Sequence, residues 1–234
     1  MSEREQPGKR SYQQYCGLAK ALDLVGERWT LLVIRELLLG PRRWGQLLDK
    51  LPGLTTNLLA KRLADLQAAG LIVRVPAPPG DPEPGRKGWY ALSESGRALE
   101  PALMELARWG GRQMQAGPSP DDRVELGWAL LSSKRRYTRG ANRPRVVVEI
   151  GVNASSSGAG EQRFQLRCDP GYLDIREGTP WPADVVLDGE REAIFDLWFR
   201  EVRGRELVRS GALAVTGDEA GLIDALDSFT GIRW

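Results

Sequence analysis

The sequence predicts an α+β chain in two parts: a helical first part closed by a two-stranded hairpin, then an α+β part with a mainly antiparallel sheet. Three observations carry this. Leu59, Leu63 and Leu66 recur at the helical period between Thr55 and Gly70. Two short apolar runs, residues 71–75 and 89–92, flank a Pro/Gly-rich loop. From Arg145 onward the period becomes two: Val146, Val148, Ile150 and Val152 alternate with Arg145, Val147, Glu149 and Gly151, and Phe164, Leu166 and Cys168 alternate likewise.

At 234 residues the chain is long enough for two modest domains, each with its own core. Its net charge of +2 hides an asymmetry, because residues 1–115 carry 17 basic and 12 acidic side chains and the rest carry 16 and 19. A basic half joined to a mildly acidic half fits a DNA-binding module carrying a second, different module. There is no histidine. That removes Ser-His-Asp and Cys-His nucleophiles, histidine-ligated zinc and histidine general bases. No phosphate loop, dinucleotide glycine fingerprint or cysteine pair at metal spacing is present either, so neither an enzyme nor a bound cofactor or metal is expected. Cys16 and Cys168 do not make a disulfide framework. Lacking an 18-residue apolar run and a charged-then-apolar N-terminus, the chain is expected to be soluble and cytoplasmic.

Residues 1–10 read as a polar arm carrying Arg4, Lys9 and Arg10. A first helix is expected over 17–26 and an apolar one over 29–39, with Trp29, Leu32, Val33 and Leu37 in the core and Gly40 and Pro41 ending it. Residues 42–51 form the next helix, with Trp44 and Leu47 inward and Arg42 and Arg43 near a DNA backbone. Pro52 and Gly53 turn the chain. Thr55 then opens a helix as N-cap, and Gly70 suits the left-handed position after its end. On this helix the leucines share one face while Asn57, Ala60, Lys61 and Ala64 share the other.

Such a helix hides a narrow leucine stripe and shows a small, polar, cationic surface, as a major groove requires. Thr56, Asn57, Ala60 and Lys61 are the candidates for base edges, with Thr55 and Arg62 on flanking phosphates. An ordinary amphipathic helix pair fits this stretch alone equally well. The hairpin that follows, with its loop tipped by Arg86 and Lys87, makes it a helix-turn-helix with a wing, a device that touches phosphates or the neighbouring minor groove.

These residues resemble a family. The runs CGLAKALDLVGERWTLLVIREL from Cys16, RWGQL from Arg43, TTNLLAKRL from Thr55, GLI from Gly70 and WYALSESG from Trp89 are similar to the HxlR-type winged helix-turn-helix transcriptional regulators, relatives of the MarR group, over residues 15–114. The resemblance implies a sequence-specific DNA-binding regulator, a repressor, that forms a homodimer through its terminal helices. Such a dimer reads a pseudo-palindromic operator on double-stranded DNA. It also makes Cys16 a redox candidate, since some members sense oxidants or electrophiles there; the residue type by itself reads first as a small buried hydrophobe. The chain departs from the pattern at Gly17, where the family usually carries proline, and in its long proline-rich wing loop.

A helix over 94–114 is expected to carry Leu99, Leu103, Leu106 and Trp109 along one side. A domain of this size has little core left for that stripe, so a helix of a second subunit is its natural partner. The composition break AGPSPDD at 116–122 sets the boundaries: 1–115 for the winged-helix part, 116–144 for a linker and connecting helix, and 145–234 for the α+β domain. The connecting helix, 124–133, offers Trp128 and Leu131 as contacts. Beyond the two alternating strands come a strand over 183–187, an apolar helix over 190–202, a strand over 212–216 and a helix over 219–229.

The pieces ADVVLDG from Ala183 and GALAVTGD from Gly211 resemble the sterol carrier protein type-2 fold over residues 145–229. That resemblance implies a hydrophobic cavity between sheet and helices for an apolar or aromatic small-molecule effector. Trp128, Phe164, Phe195, Trp198, Phe199, Leu226 and Phe229 are its candidate lining. The helix with Ile194, Phe195, Leu197, Trp198, Phe199 and Val202 is apolar over more than one stripe, leaving three possible coverings for its second side: a ligand, the DNA-binding part or the other subunit. A competing class is a lipid carrier or enzyme that uses the winged helix as a partner-binding scaffold.

Overall fold

The computed structural model describes residues 11–78, 88–114, 118–119, 121–153, 161–200 and 202–234. The chain folds as two compact units, Met1–Glu105 and Leu106–Trp234.

The first unit contains helices α1 (Gly17–Val25), α2 (Thr30–Leu38), α3 (Trp44–Lys50) and α4 (Thr56–Ala68), the hairpin β1 (Ile72–Val75) and β2 (Trp89–Leu92), and α5 (Glu94–Arg97). Helix α6 (Glu100–Gly111) runs across the unit boundary. Val33, Ile34 and Leu37 of α2, Leu47 of α3, and Leu59, Leu63 and Leu66 of α4 make a common buried core. Leu32, expected inside, is exposed and Trp29 is half-buried, because the inward side of α2 is set by positions 33, 34 and 37. Helix α4 ends as its sequence dictates. Gly70 takes φ +69°, its N–H donates to Gln67 O, and the Leu71 N–H donates to Leu66 O, so two end carbonyls are satisfied.

The expected helix over 94–114 is two helices, interrupted at Ala98 and Leu99. Pro101 explains the break: it has no N–H, and inside a continuous helix its ring would meet the carbonyl of Arg97. It sits instead in the first turn of α6, where a missing donor costs nothing.

The second unit contains α7 (Leu126–Ser133), a 3-10 turn (Lys134–Arg136), strands β3 (Val146–Val152), β4 (Gln162–Asp169), β5 (Tyr172–Glu177), β6 (Val185–Gly189) and β7 (Leu213–Gly217), and helices α8 (Arg191–Phe199), α9 (Gly204–Arg209) and α10 (Glu219–Leu226). The sheet order is β5-β4-β3-β6-β7, antiparallel throughout except between β3 and β6. Register aligns Val148 with Leu166 and Val185, and Leu166 with Ile175, so one face is continuous and apolar. Helices α7, α9 and α10 pack on strands of this sheet.

Register puts Glu149, Arg163, Gln165, Arg167, Asp174, Arg176 and Asp188 on the opposite face. Arg163 pairs there with Glu149 and Asp188 at 3.0 Å each. The Gln165 amide donates to Glu149 and to Trp181 O and accepts from Trp181 N, all at 2.9 Å, so a fully buried amide is satisfied.

Two elements were not legible in the sequence, β5 and α9. The unit boundary also lies within α6, ahead of the composition break at 116–122. Helix α7 belongs to the second unit's core: Leu126, Leu130 and Leu131 are buried. The Arg139 guanidinium, fully buried, donates to Asp224 O and Ser228 Oγ and pairs with the Asp224 carboxylate. Trp198 and part of the second side of α8 are covered from within the same unit, while Phe199 stays exposed. Helix α9 packs on it, Trp198 meets the Phe229 ring at 5.8 Å, and Arg136 donates to Trp198 O at 2.8 Å. Among the described residues no helix is long and apolar enough to cross a membrane.

Candidate nucleic-acid interface

Helix α4 owes its start to Thr55, whose Oγ1 accepts from the Leu58 N–H at 3.4 Å, satisfying one donor of the first turn. With the three leucines buried, the opposite side is open. Thr55, Thr56, Asn57, Ala60, Lys61 and Ala64 are all exposed there. Lys61 makes no ion pair among the described residues, so its ammonium is available to an anion. Fewer than two turns of helix thus present a hydroxyl, a carboxamide, a methyl group and a cation, the set that reads base edges in a major groove.

Arg62 and Arg42 stand elsewhere than expected. Arg62 is turned inward with its side chain 7% exposed, and it pairs with Glu27 and Asp65. It is therefore not a free phosphate ligand. Arg42 is buried because its backbone forms a bridge to β2: its N–H donates to Tyr90 O at 2.9 Å, and Tyr90 N–H donates to Arg42 O at 2.8 Å. Arg43 is half-buried, its guanidinium 5.3 Å from the centre of the Trp89 ring, and its N–H donates to Gln46 Oε1. Arg86 and Lys87, the cations expected at the wing tip, lie outside the described residues.

One exposed cation escaped the sequence reading. Arg74 of β1 is paired in register with Tyr90 and lies over its ring at 4.4 Å. An arginine held this way keeps its N–H donors available at little further entropic cost. The signal was an arginine in strand register with an aromatic residue, visible only once the pairing is known.

Cys16 is exposed rather than buried. As N-cap of α1 it faces the N–H groups of Ala19 and Leu18, which draw its thiol below the ordinary pKa. In the second unit the seven proposed effector-lining residues do not share one environment. Phe164, Trp198, Leu226 and Phe229 are buried, Trp128 and Phe195 half-buried, and Phe199 exposed. Trp198 contacts Phe229, and Phe195 contacts Phe199 at 5.7 Å.

A helix pair joined by a tight turn, with the second helix open on its polar side and an antiparallel hairpin after it, defines a winged helix-turn-helix protein. The description "HxlR-like helix-turn-helix" matches residues 24–118. The chain belongs to this family. It is similar to an uncharacterized HTH-type transcriptional regulator of Mycobacterium tuberculosis, 43% identical over 103 residues that make up 44% of this chain and 62% of the relative. This chain therefore spans less than two thirds of that relative's length. It is 34% identical to the uncharacterized HTH-type transcriptional regulator YkvN of Bacillus subtilis, over 41% of this chain and 78% of the relative. A solved structure, the reduced form of the transcriptional regulator YodB from B. subtilis, is 29% identical and covers 45% of this chain and all of its own, with a TM-score of 0.37.

Proposed function

We propose that this chain is a sequence-specific DNA-binding transcriptional regulator, a repressor, that acts as a homodimer on a pseudo-palindromic operator. The observation that carries the reading is the outer side of α4, where Thr56, Asn57, Ala60 and Lys61 are exposed on a helix whose opposite side is locked into the core. Thr55 stands at the start of that helix, and Arg74 on the wing adds a stacked cation for the phosphate backbone. Arg86 and Lys87 lie between β1 and β2 in the sequence. Dimerisation is supported by apolar side chains that a monomer leaves in water. Leu18 and Leu22 lie one turn apart on α1, and on α6 Leu106 and Trp109 are 54% and 64% exposed. A second copy supplies the second reading helix and so the two half-sites.

Selection of duplexes from a random library, followed by footprinting on the enriched sequence and on the gene's own upstream region, tests the reading. Enrichment of an inverted repeat with half-sites about one or two helical turns apart is the expected result. Failure to enrich any sequence refutes it.

An effector reading for the second unit has one observation in its favour. The Trp198 indole N–H is buried beside Phe229 and has no hydrogen-bond partner among the described residues. An apolar or aromatic molecule with one acceptor would satisfy it. Such a ligand controls the regulator only if it binds the DNA-competent and DNA-incompetent states with different affinity. Quenching of tryptophan fluorescence without a change in operator affinity would reduce the second unit to a carrier.

A further inference from the structure

We propose that Arg62 is a positioning residue: it fixes the orientation of α4 for base reading by tying that helix to the loop between α1 and α2. The proposal rests on the DNA-binding reading above. Arg62 follows Lys61 in sequence but lies about 100° further around the helix, beside Leu59 and Leu66 on the covered side. Its guanidinium is used in three directions. Nε donates to Arg28 O at 3.2 Å, Nη1 to Asp65 at 3.0 Å and Nη2 to Glu27 at 2.8 Å. Asp65 belongs to α4 itself, whereas Glu27 and Arg28 belong to the loop.

That loop is itself held in place. Trp29 adopts φ +78°, a left-handed backbone that a bulky residue takes only when its surroundings impose it. Its ring lies against Gly53, which at φ +87° makes the turn between α3 and α4. Residues 27–29 therefore grip the helix-turn-helix at two places, the turn before α4 and the second turn of α4.

Stability alone is a poor explanation for this arrangement. Glu27 and Asp65 are 62% and 41% exposed in their side chains, so each ion pair is partly screened by water and contributes little. A planar fork with acceptors on three sides, however, accepts one orientation. Removing it leaves α4 folded on its leucines but free to roll about them, which displaces Asn57 and Lys61 from the bases. Because only Gly26 separates Glu27 and Arg28 from α1, a shift of α1 reaches α4 through the same bonds.

The experiment uses the full chain with two duplexes: one enriched by the wild-type protein from a random library, and a scrambled duplex of equal length and composition. Variants are Arg62→Met, Arg62→Lys and Glu27→Gln. For Arg62→Met the ratio of enriched to scrambled affinity is expected to fall by about tenfold, the discrimination carried by one good base contact. Arg62→Lys should fall less, since one ammonium reaches Glu27 but cannot span three acceptors. Glu27→Gln, at an exposed position that leaves the other two bonds intact, should fall a few-fold and keeps the test open if Arg62→Met fails to fold. Affinity for the scrambled duplex and its salt dependence should not change.

Three results overturn the proposal. Equal losses on both duplexes indicate a merely structural arginine. A salt slope reduced by about 0.9 per copy indicates a phosphate contact instead. Wild-type ratios in Arg62→Lys and Glu27→Gln show that the bonds do not position α4. A wild-type protein that enriches no duplex refutes the DNA-binding reading and this proposal together, and that failure is visible before any variant is made.

Discussion

Lys61→Ala is the sharpest test of the α4 surface. Lys61 is exposed and makes no ion pair among the described residues. Its removal leaves the fold intact, since alanine is the better helix former at an exposed position. A cation seated in the groove displaces condensed counterions, so each lysine steepens the dependence of log affinity on log salt by about 0.9. A homodimer loses two, a change of about 1.8. Between about 50 and 200 mM salt the deficit of the variant therefore shrinks about twelvefold for a dimer, and about 3.5-fold if one copy binds. Fluorescence anisotropy titrations of the enriched duplex across that range measure both slopes, and their difference also counts the bound copies. If the Lys61→Ala lines coincide with wild type in height and slope, α4 does not face DNA.

Replacing Leu106 or Trp109 with glutamate places a charge in the exposed α6 stripe, and sedimentation should move from dimer toward monomer with the far-ultraviolet spectrum unchanged. A persistent dimer removes α6 from the interface. Gly70→Ala forces an L-residue to φ +69° and should cost about 1–2 kcal/mol, read from the urea midpoint. No loss there would show that α4 ends differently.

Cys168 gives a pH prediction. Burial pushes its thiol up from 9.0 to about 12. Above pH 9 the unfolded chain releases this proton and the native chain retains it. Stability should therefore fall as pH rises through that window, by up to about 1.4 kcal/mol per unit. Cys168→Ala should flatten this dependence relative to wild type, and equal slopes in the two proteins would refute the assignment. In the native state, iodoacetamide should label Cys16 and spare Cys168.

The elements that sequence reading placed well are those whose signals are local. Thr55, the leucine spacing and Gly70 lie within one helix length of each other, and α4 begins and ends where they require. Alternation gave β3 and β4, which are antiparallel neighbours as expected. Pro101 was equally local, and its effect on the helix over 94–114 follows from the ring alone. Helix α9, by contrast, is six residues long and offers too few turns for a period to show. Charged residues were hardest, because their role depends on acceptors distant in sequence. Arg62 and Lys61 are neighbours with the same sign of charge, yet Glu27, 35 residues away from Arg62, draws one inward while the other stays open. Arg42 is taken out of the surface by its backbone bridge to Tyr90. Arg74 becomes a candidate interface residue only when that same tyrosine is seen beneath it. Composition could give the sign of this surface, but its members are chosen by nonlocal pairing. A basic residue on a reading helix is thus a DNA contact only after every carboxylate and carbonyl within its reach has been accounted for.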